Sequence, residues 1–262
     1  MKTITLYQID AFTDKVFHGN PAAVCVLTEW LGEDKMQQIA AENNLAETAF
    51  VVKQGEEYGI RWFTPAVEVD LCGHATLAAA FVLFQFSGHS TNHISFQSHR
   101  SGLLTVERQG EALTLNFPAD VYEQVEVPST LITSLGKAPE AAYKGKTDYL
   151  LIYPSEADIV ALEPDFRVMG TVEARGVIVS APGKEVDFVS RFFGPQVGID
   201  EDPVTGSAHT TLTPYWSHRL GKKSLTAKQL SKRQGDLLCE FLGERVNITG
   251  KAVAYLKGEI FI

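Results

Sequence analysis

A chain of 262 residues with a formal net charge of −9 lacks the basic surface that nucleic-acid-binding domains need. Its 45% apolar and 21% charged residues are typical of a globular protein with one large domain or two of ordinary size. The most apolar segment, 77–86, is too short to span a bilayer, and we expect no secretion signal. Three widely spaced cysteines argue against a disulfide scaffold, so we expect a cytoplasmic protein.

The first half of the chain is predicted to alternate strands and helices. Apolar residues at helical spacing predict a helix over 33–43. A second helix, 75–86, is apolar almost all round, which is typical of a helix buried at the centre of a domain. The predicted strands of this half are 4–9, 22–27, 47–52, 59–63, 93–98, 102–107 and 112–116.

The second half repeats this alternation. A helix over 208–219, weakened by Thr213 and Pro214, matches the central helix of the first half. The other predicted elements are helices at 129–135 and 157–162 and strands at 146–153, 176–180, 186–193, 224–234, 237–242, 245–249 and 252–262. We therefore expect a mixed α/β fold with an N-terminal half, 1–117, joined by the closing strand 252–262, and a C-terminal half, 118–251.

An internal repeat relates the two halves. Residues 61–65 read Arg-Trp-Phe-Thr-Pro, residues 191–195 read Arg-Phe-Phe-Gly-Pro, and each segment precedes a small-residue turn that contains Gly73 or Gly206. The two copies are about half the chain length apart, which indicates two related halves. Glycine at a helix start lets a ligand approach the backbone, and the unpaired N–H groups of the first turn bind anions.

Glu47 is the strongest candidate for a base in the first half. It stands at a loop–strand junction between apolar neighbours, whereas Glu68 and Asp70 have the alternating pattern of an exposed strand edge. A solvated glutamate is the alternative reading of Glu47. In the second half, Asp202 follows Asp200 and Glu201 in what we predict is an acidic loop, beside the glycine turn.

Four segments, 17–22, 41–50, 61–75 and 193–210, together resemble the phenazine-biosynthesis PhzF-like isomerase family. The resemblance implies a diaminopimelate-epimerase-like fold, in which two similar halves each wrap a sheet around a central helix. It also implies an acid/base role for Glu47 and catalytic roles for His74, Asp202 and Ser207. We expect the substrate-binding residues to be Asn20, Gly73, Thr205 and Gly206, which lie in the same segments.

The favoured activity is a cofactor-independent isomerisation that moves a proton on carbon of a small carboxylate, as in trans-2,3-dihydro-3-hydroxyanthranilate-type chemistry. We expect no cofactor and no metal, a small-molecule carboxylate as partner, no nucleic acid or membrane, and a homodimer. A non-enzymatic small-molecule binder on the same fold is an alternative. An amino-acid epimerase or racemase is a weaker one, because Thr205 stands where a second cysteine would match Cys72, and a hydroxyl is a poor base.

Overall fold

The structure is a computed structural model that describes residues 2–262. It divides into two compact units. The first comprises the described residues up to Asn116 together with Thr249–Ile262, and the second is Phe117–Ile248. No helix among the described residues is long and apolar enough to cross a membrane.

Residues 2–262 form eighteen strands and six α-helices. The elements up to the end of the first half are β1 Thr3–Ala11, β2 Asn20–Leu27, α1 Glu33–Asn43, β3 Glu47–Gln54, β4 Glu57–Phe63, β5 Glu68–Val69, α2 Gly73–Phe86, β6 His93–Ser98, β7 Gly102–Gln109 and β8 Ala112–Pro118. The remaining elements are β9 Glu123–Val125, α3 Ser129–Leu135, β10 Ala141–Lys144, β11 Asp148–Ile152, α4 Glu156–Ala161, α5 Phe166–Met169, β12 Gly176–Pro182, β13 Phe188–Gly194, β14 Ile199–Asp202, α6 Gly206–Leu220, β15 Ser224–Gln229, β16 Gly235–Phe241, β17 Arg245–Gly250 and β18 Ala252–Phe261.

In the first unit, neighbouring strands pair in the order β18-β1-β2-β3-β4-β6-β7-β8. The β2–β3 and β4–β6 pairs are parallel and the others are antiparallel. A parallel pair needs a crossover connection, and α1 and α2 supply the two that this unit requires.

The second unit repeats this topology. Its strands pair in the order β9-β10-β11-β12-β13-β15-β16, with β11–β12 and β13–β15 parallel. The crossovers are the short helices α4 and α5 for the first parallel pair and α6 for the second. The pattern of parallel and antiparallel neighbours around β11–β16 is thus that of β2–β7, and the predicted α/β repeat is confirmed.

Each unit holds one long helix against its sheet. Ten of the 14 residues of α2 are buried, and the helix packs on β1, β2, β3 and β18. Small alanines along α2 let these four strands approach it closely, as its largely apolar character predicts. The matching helix α6 packs on β11, β15 and β16.

Pro214 lies inside α6 without ending it. A proline removes one helical N–H, so the carbonyl of Thr210, four residues earlier, loses its usual partner. The backbone N–H of Asp120 donates to that carbonyl at 3.1 Å instead. The side chain of Asp120 also accepts a hydrogen bond from Thr211 at 2.8 Å. The helix continues to Leu220 because the segment before β9 satisfies the group that the proline leaves open.

The sequence prediction was wrong in one loop and incomplete elsewhere. The acidic segment 200–202 is not a loop but belongs to β14, which pairs with β13. Both central helices begin two residues before their predicted starts, at the glycines themselves. The short elements β5, β9, β10 and α5 lack the length that a periodic pattern needs, and the sequence did not indicate them.

Candidate functional site

The first unit gathers a cluster of polar side chains where three elements begin. Asn20 is the first residue of β2, Glu47 is the first residue of β3, and His74 is the second residue of α2. The parallel register places Ala22 opposite Glu47, so the starts of β2 and β3 lie side by side. Because α2 packs on both strands, its first turn brings His74 to the same place.

The cluster is built on the two nitrogens of one imidazole. Nε2 of His74 lies 3.1 Å from Oε2 of Glu47. Nδ1 lies 3.1 Å from the amide nitrogen of Asn20 and 3.5 Å from the sulfur of Cys72, the residue before α2. All four residues are buried, with Asn20 fully enclosed and Glu47 9% exposed. The Asn20 amide nitrogen faces Nδ1 and donates to it, so the ring proton is on Nε2, the nitrogen that lies beside the Glu47 carboxylate.

Burial and mutual charge set the protonation of the cluster. Burial, followed by the nearby Glu47, raises the pKa of the Cys72 thiol to about 11, so this thiol is neutral at pH 7. Burial opposes a charged His74, but Cys72 and Glu47 outweigh it and raise the pKa of the imidazole well above its usual range. Since the thiol is neutral, the Glu47 carboxylate is the neighbour that stabilises a charged imidazole at neutral pH.

The same residues include a set of donor atoms that metals use. Among residues 2–262, Glu47, Cys72 and His74 form the one group of histidine, cysteine and carboxylate ligands whose donor atoms lie within 4.8 Å of one another. The carboxylate faces Nε2, however, and the thiol faces Nδ1. An ion takes one nitrogen from a given imidazole and needs a thiolate rather than a thiol, so this arrangement favours proton transfer over metal binding.

The second unit places Asp202 at the end of β14 and Thr205 immediately before α6. The Thr205 hydroxyl donates to Oδ2 of Asp202 at 2.5 Å. Gln229, the fully buried last residue of β15, forms hydrogen bonds to the backbone of both Asp202 and Thr205. Its oxygen accepts the Thr205 backbone N–H at 2.9 Å, and its nitrogen donates to the Asp202 carbonyl at 2.8 Å. Thr205 therefore orients Asp202, and the proton of the Thr205 hydroxyl is already used in this hydrogen bond.

Ser207 is the second residue of α6, the place that His74 has in α2. Its hydroxyl oxygen accepts a hydrogen bond of 3.0 Å from Nη1 of Arg175. Arg175 in turn is bound through two of its nitrogens to the carboxylate of Asp148. Sequence reasoning missed Arg175, Asp148 and Gln229, because their roles depend on strand pairing and not on a local motif.

The predicted site residues thus fall into one group in each unit. Asn20, Glu47, Gly73 and His74 come together in the first, and Asp202, Thr205, Gly206 and Ser207 come together in the second. Neither Gly73 nor Gly206 has a positive φ. Glycine at both positions therefore leaves the backbone at the helix start accessible to a ligand, and it is not required by an unusual backbone conformation.

The model of the PhzC-PhzF family, described as phenazine biosynthesis-like protein, matches residues 9–258. The chain belongs to this family. It is 51% identical over 259 residues to an uncharacterised isomerase of Pseudomonas aeruginosa, with 99% of each chain covered. The crystal structure of a PhzF-family phenazine biosynthesis protein from Enterococcus faecalis is 46% identical, covers 100% of both chains and has a TM-score of 0.97.

More distant structures extend the likeness to epimerases. A hydroxyproline epimerase from Agrobacterium vitis is 10% identical, with 98% of this chain and 92% of that chain covered and a TM-score of 0.62. At that identity the likeness shows the fold alone, and it confirms the predicted diaminopimelate-epimerase-like fold class. Several curated relatives of this PhzF-like chain are named isomerases, so the protein is an isomerase, as the sequence predicts.

Proposed function

We propose that the protein is a cofactor-independent isomerase that moves a proton between carbon atoms of a small carboxylate, with Glu47 as general acid and base. The observation that carries the proposal is the buried 3.1 Å contact between Glu47 Oε2 and His74 Nε2 at the start of α2. Such a reaction needs a base that can return the proton, stabilisation of the developing negative charge, and exclusion of water.

Glu47 has the geometry of a positioned base. One carboxylate oxygen, Oε2, lies 3.1 Å from Nε2 of His74. No donor among the described residues contacts the other oxygen, Oε1, which leaves it for the substrate. Asn20 contacts the far side of the imidazole and fixes the ring plane. The carboxylate therefore has one oxygen beside the imidazole and one that is available for proton transfer.

The start of α2 supplies a place for negative charge. Its first N–H groups have no partner within the helix, no side chain caps them, and the first turn contains no acidic residue. The helix dipole adds a partial positive charge at the same end. The backbone at Gly73 and His74 therefore suits an oxygen on which negative charge develops as the carbon–hydrogen bond breaks.

The proposed step conserves atoms and electrons. Glu47 takes a proton from a substrate carbon, and the electron pair of that bond delocalises toward the oxygen held at the helix start. The Glu47 carboxylic acid then delivers the proton to a different carbon, which moves the double bond without oxidation or reduction. Asp202 and Ser207 complete the proposed catalytic set, and Asn20, Gly73, Thr205 and Gly206 complete the proposed substrate-binding set.

Two observations disfavour a racemase with two cysteine-like bases. The Cys72 thiol is neutral at pH 7, because burial raises its pKa to about 11. The matching residue Thr205 already donates its proton to Asp202. Neither group supplies the second base that a two-base racemase requires.

Proton exchange with solvent tests the proposal for a whole class of carboxylates at once. A panel of small cyclic and amino-acid-like carboxylates, including trans-2,3-dihydro-3-hydroxyanthranilate, is incubated with the wild type in deuterated water and followed by NMR. We expect rearrangement of at least one compound with no added cofactor, and deuterium on carbon in the turnovers in which the Glu47 acid exchanges its proton with solvent before delivering it. Glu47→Gln should abolish both signals, and the exposed hairpin variant Glu56→Gln is the matched control. A panel that the wild type leaves unchanged would refute the proposed substrate class.

A further inference from the structure

The two units place different chemistry at equivalent positions. In the first, Thr48 of β3 pairs with Phe63 of β4; in the second, Val177 of β12 pairs with Phe193 of β13. When these phenylalanines are matched, Glu47 corresponds to Gly176, and Arg175 is the residue just before it. In each unit a charged side chain at the start of this strand contacts the second residue of the central helix. Glu47 contacts His74 in the first unit, and Arg175 contacts Ser207 in the second.

We propose that Arg175, held by Asp148, is a positioning residue that makes the Ser207 hydroxyl a hydrogen-bond donor to the carboxylate of the ligand. The inference deepens the proposed function, on which it rests for the choice of a carboxylate. It concerns binding, so it can be tested whether or not Glu47 is the base.

The guanidinium of Arg175 is fixed in direction. Nε and Nη2 donate to the two carboxylate oxygens of Asp148, a bidentate arrangement that sets the plane of the group. Asp148 is 3% exposed and is the first residue of β11, opposite Gly176 in the parallel register. The ring of Phe192 lies 5.5 Å from the guanidinium carbon. The strand that carries Asp148 and the ring of Phe192 therefore fix the guanidinium, and Nη1 is left to point at Ser207.

The polarity of that contact determines what Ser207 can do. Arginine has only donors, so the Ser207 oxygen is the acceptor of the 3.0 Å bond. The serine proton is then directed elsewhere, and within residues 2–262 no acceptor receives it. The first turn of α6 contains no acidic residue to compete for it. An acceptor from a ligand is what completes the hydrogen bonding of this hydroxyl.

Asp148 also determines whether Arg175 acts by positioning Ser207 or by attracting the ligand carboxylate through its own charge. It balances the charge of Arg175, and Asp202 and Asp120 lie close enough to act on the same guanidinium. These carboxylates offset the charge of Arg175, so there is no strong net positive potential around it. Arg175 therefore contributes by orienting the Ser207 hydroxyl. A lysine at this position cannot orient that hydroxyl and also bind both carboxylate oxygens of Asp148.

The experiment measures the affinity of benzoate, a small cyclic carboxylate, by NMR titration of wild type, Ser207→Ala and Arg175→Lys. We expect each variant to bind benzoate about tenfold or more weakly, as for the loss of a hydrogen bond to a charged group. In the Ser207→Ala background, Arg175→Lys should add little further loss, because the arginine acts through the serine. The affinities of the wild type and the variants for the neutral ligand benzyl alcohol should differ much less.

Removal of Arg175 alone leaves Asp148 buried and unpaired, which can prevent folding. The double variant Arg175→Gln, Asp148→Asn avoids this and should show the same weakened benzoate binding with a native circular dichroism spectrum. Wild-type affinity in either Arg175 variant, additive losses in the double-mutant cycle, or no benzoate binding by the wild type would each overturn the inference. A Glu47→Gln protein that binds benzoate normally but is inactive leaves it intact, so the two proposals fail separately.

Discussion

Oε2 of Glu47 and Nε2 of His74 lie 3.1 Å apart in the interior of the first unit, and neither atom has a well-aligned hydrogen bond to any of the described residues. A charged His74 would therefore be balanced by one carboxylate. Its second ring proton, on Nδ1, would face Asn20. A half turn of the Asn20 amide, which exchanges its nitrogen and oxygen, is the rearrangement that turns this neighbour from a donor into an acceptor.

The raised pKa of His74 predicts how stability depends on pH. Its folded-state pKa lies above the ordinary value of 6.5, so the stabilisation is fully present below pH 6.5 and is lost as pH rises through the folded pKa. Glu47→Gln removes the carboxylate that favours the charged ring. The difference in free energy of unfolding between wild type and variant should therefore shrink as pH rises from 6.5 into the alkaline range. Urea unfolding at several pH values measures it, and a difference that does not vary with pH would contradict the charged pair.

Cys72→Ala tests the role of the thiol. The sulfur is buried beside His74, and the raised pKa of the thiol keeps it neutral at working pH. We expect the variant to keep turnover within about tenfold of wild type, because alanine retains most of the packing of a small buried residue. Steady-state kinetics, with circular dichroism as the control for folding, measures this. A loss of a thousandfold or more in a folded variant would point to a thiolate mechanism.

The sequence predicted what periodicity and repetition encode. The helices over 33–43 and 129–135 have the predicted bounds, and the two buried central helices follow from nearly uniform apolar segments and from the internal repeat. The repeat also pointed to the helix starts that carry His74 and Ser207. Each of these features depends on residues that are close together in the chain.

Pairing between distant residues was not predictable in this way. Glu68 was expected on an exposed strand edge, but its side chain is 5% exposed, because Arg61 binds both of its carboxylate oxygens and Arg100 binds one of them. Asp70, two residues further, is exposed as expected. The alternating pattern is the same for both acids, and Arg100 contacts both of them, so Arg61 of β4 is the partner that distinguishes Glu68 from Asp70. Arg175 was missed for the same reason, since Asp148 is its partner only through the β11–β12 register.

His209 predicts acid sensitivity in the second unit. It is fully buried in α6, its Nδ1 contacts the Thr205 carbonyl at 2.8 Å, and burial lowers its pKa to about 4. The unfolded chain takes up this proton near pH 6.5, whereas the folded protein resists until about pH 4, so stability falls as pH falls through that window. The linked loss is about 3 kcal/mol by pH 4. His209→Gln should not show this part of the decline in urea unfolding between pH 7 and 4. Equal declines in wild type and variant would contradict it.

Glu47→Gln is the direct test of the base. Glutamine keeps the size of the side chain and its capacity to bond to Nε2 of His74, but it cannot take a proton from carbon. We expect turnover to fall by about 10²–10⁴-fold, the usual contribution of a general base. Substrate binding should weaken little, so the loss should appear in kcat and not in KM, as for an interaction that acts in the transition state. Glu56→Gln, in the exposed β3–β4 hairpin, should retain wild-type kinetics. If Glu47→Gln turns over at a rate near that of wild type, the base is elsewhere, and Asp202 and His74 become the candidates to change next.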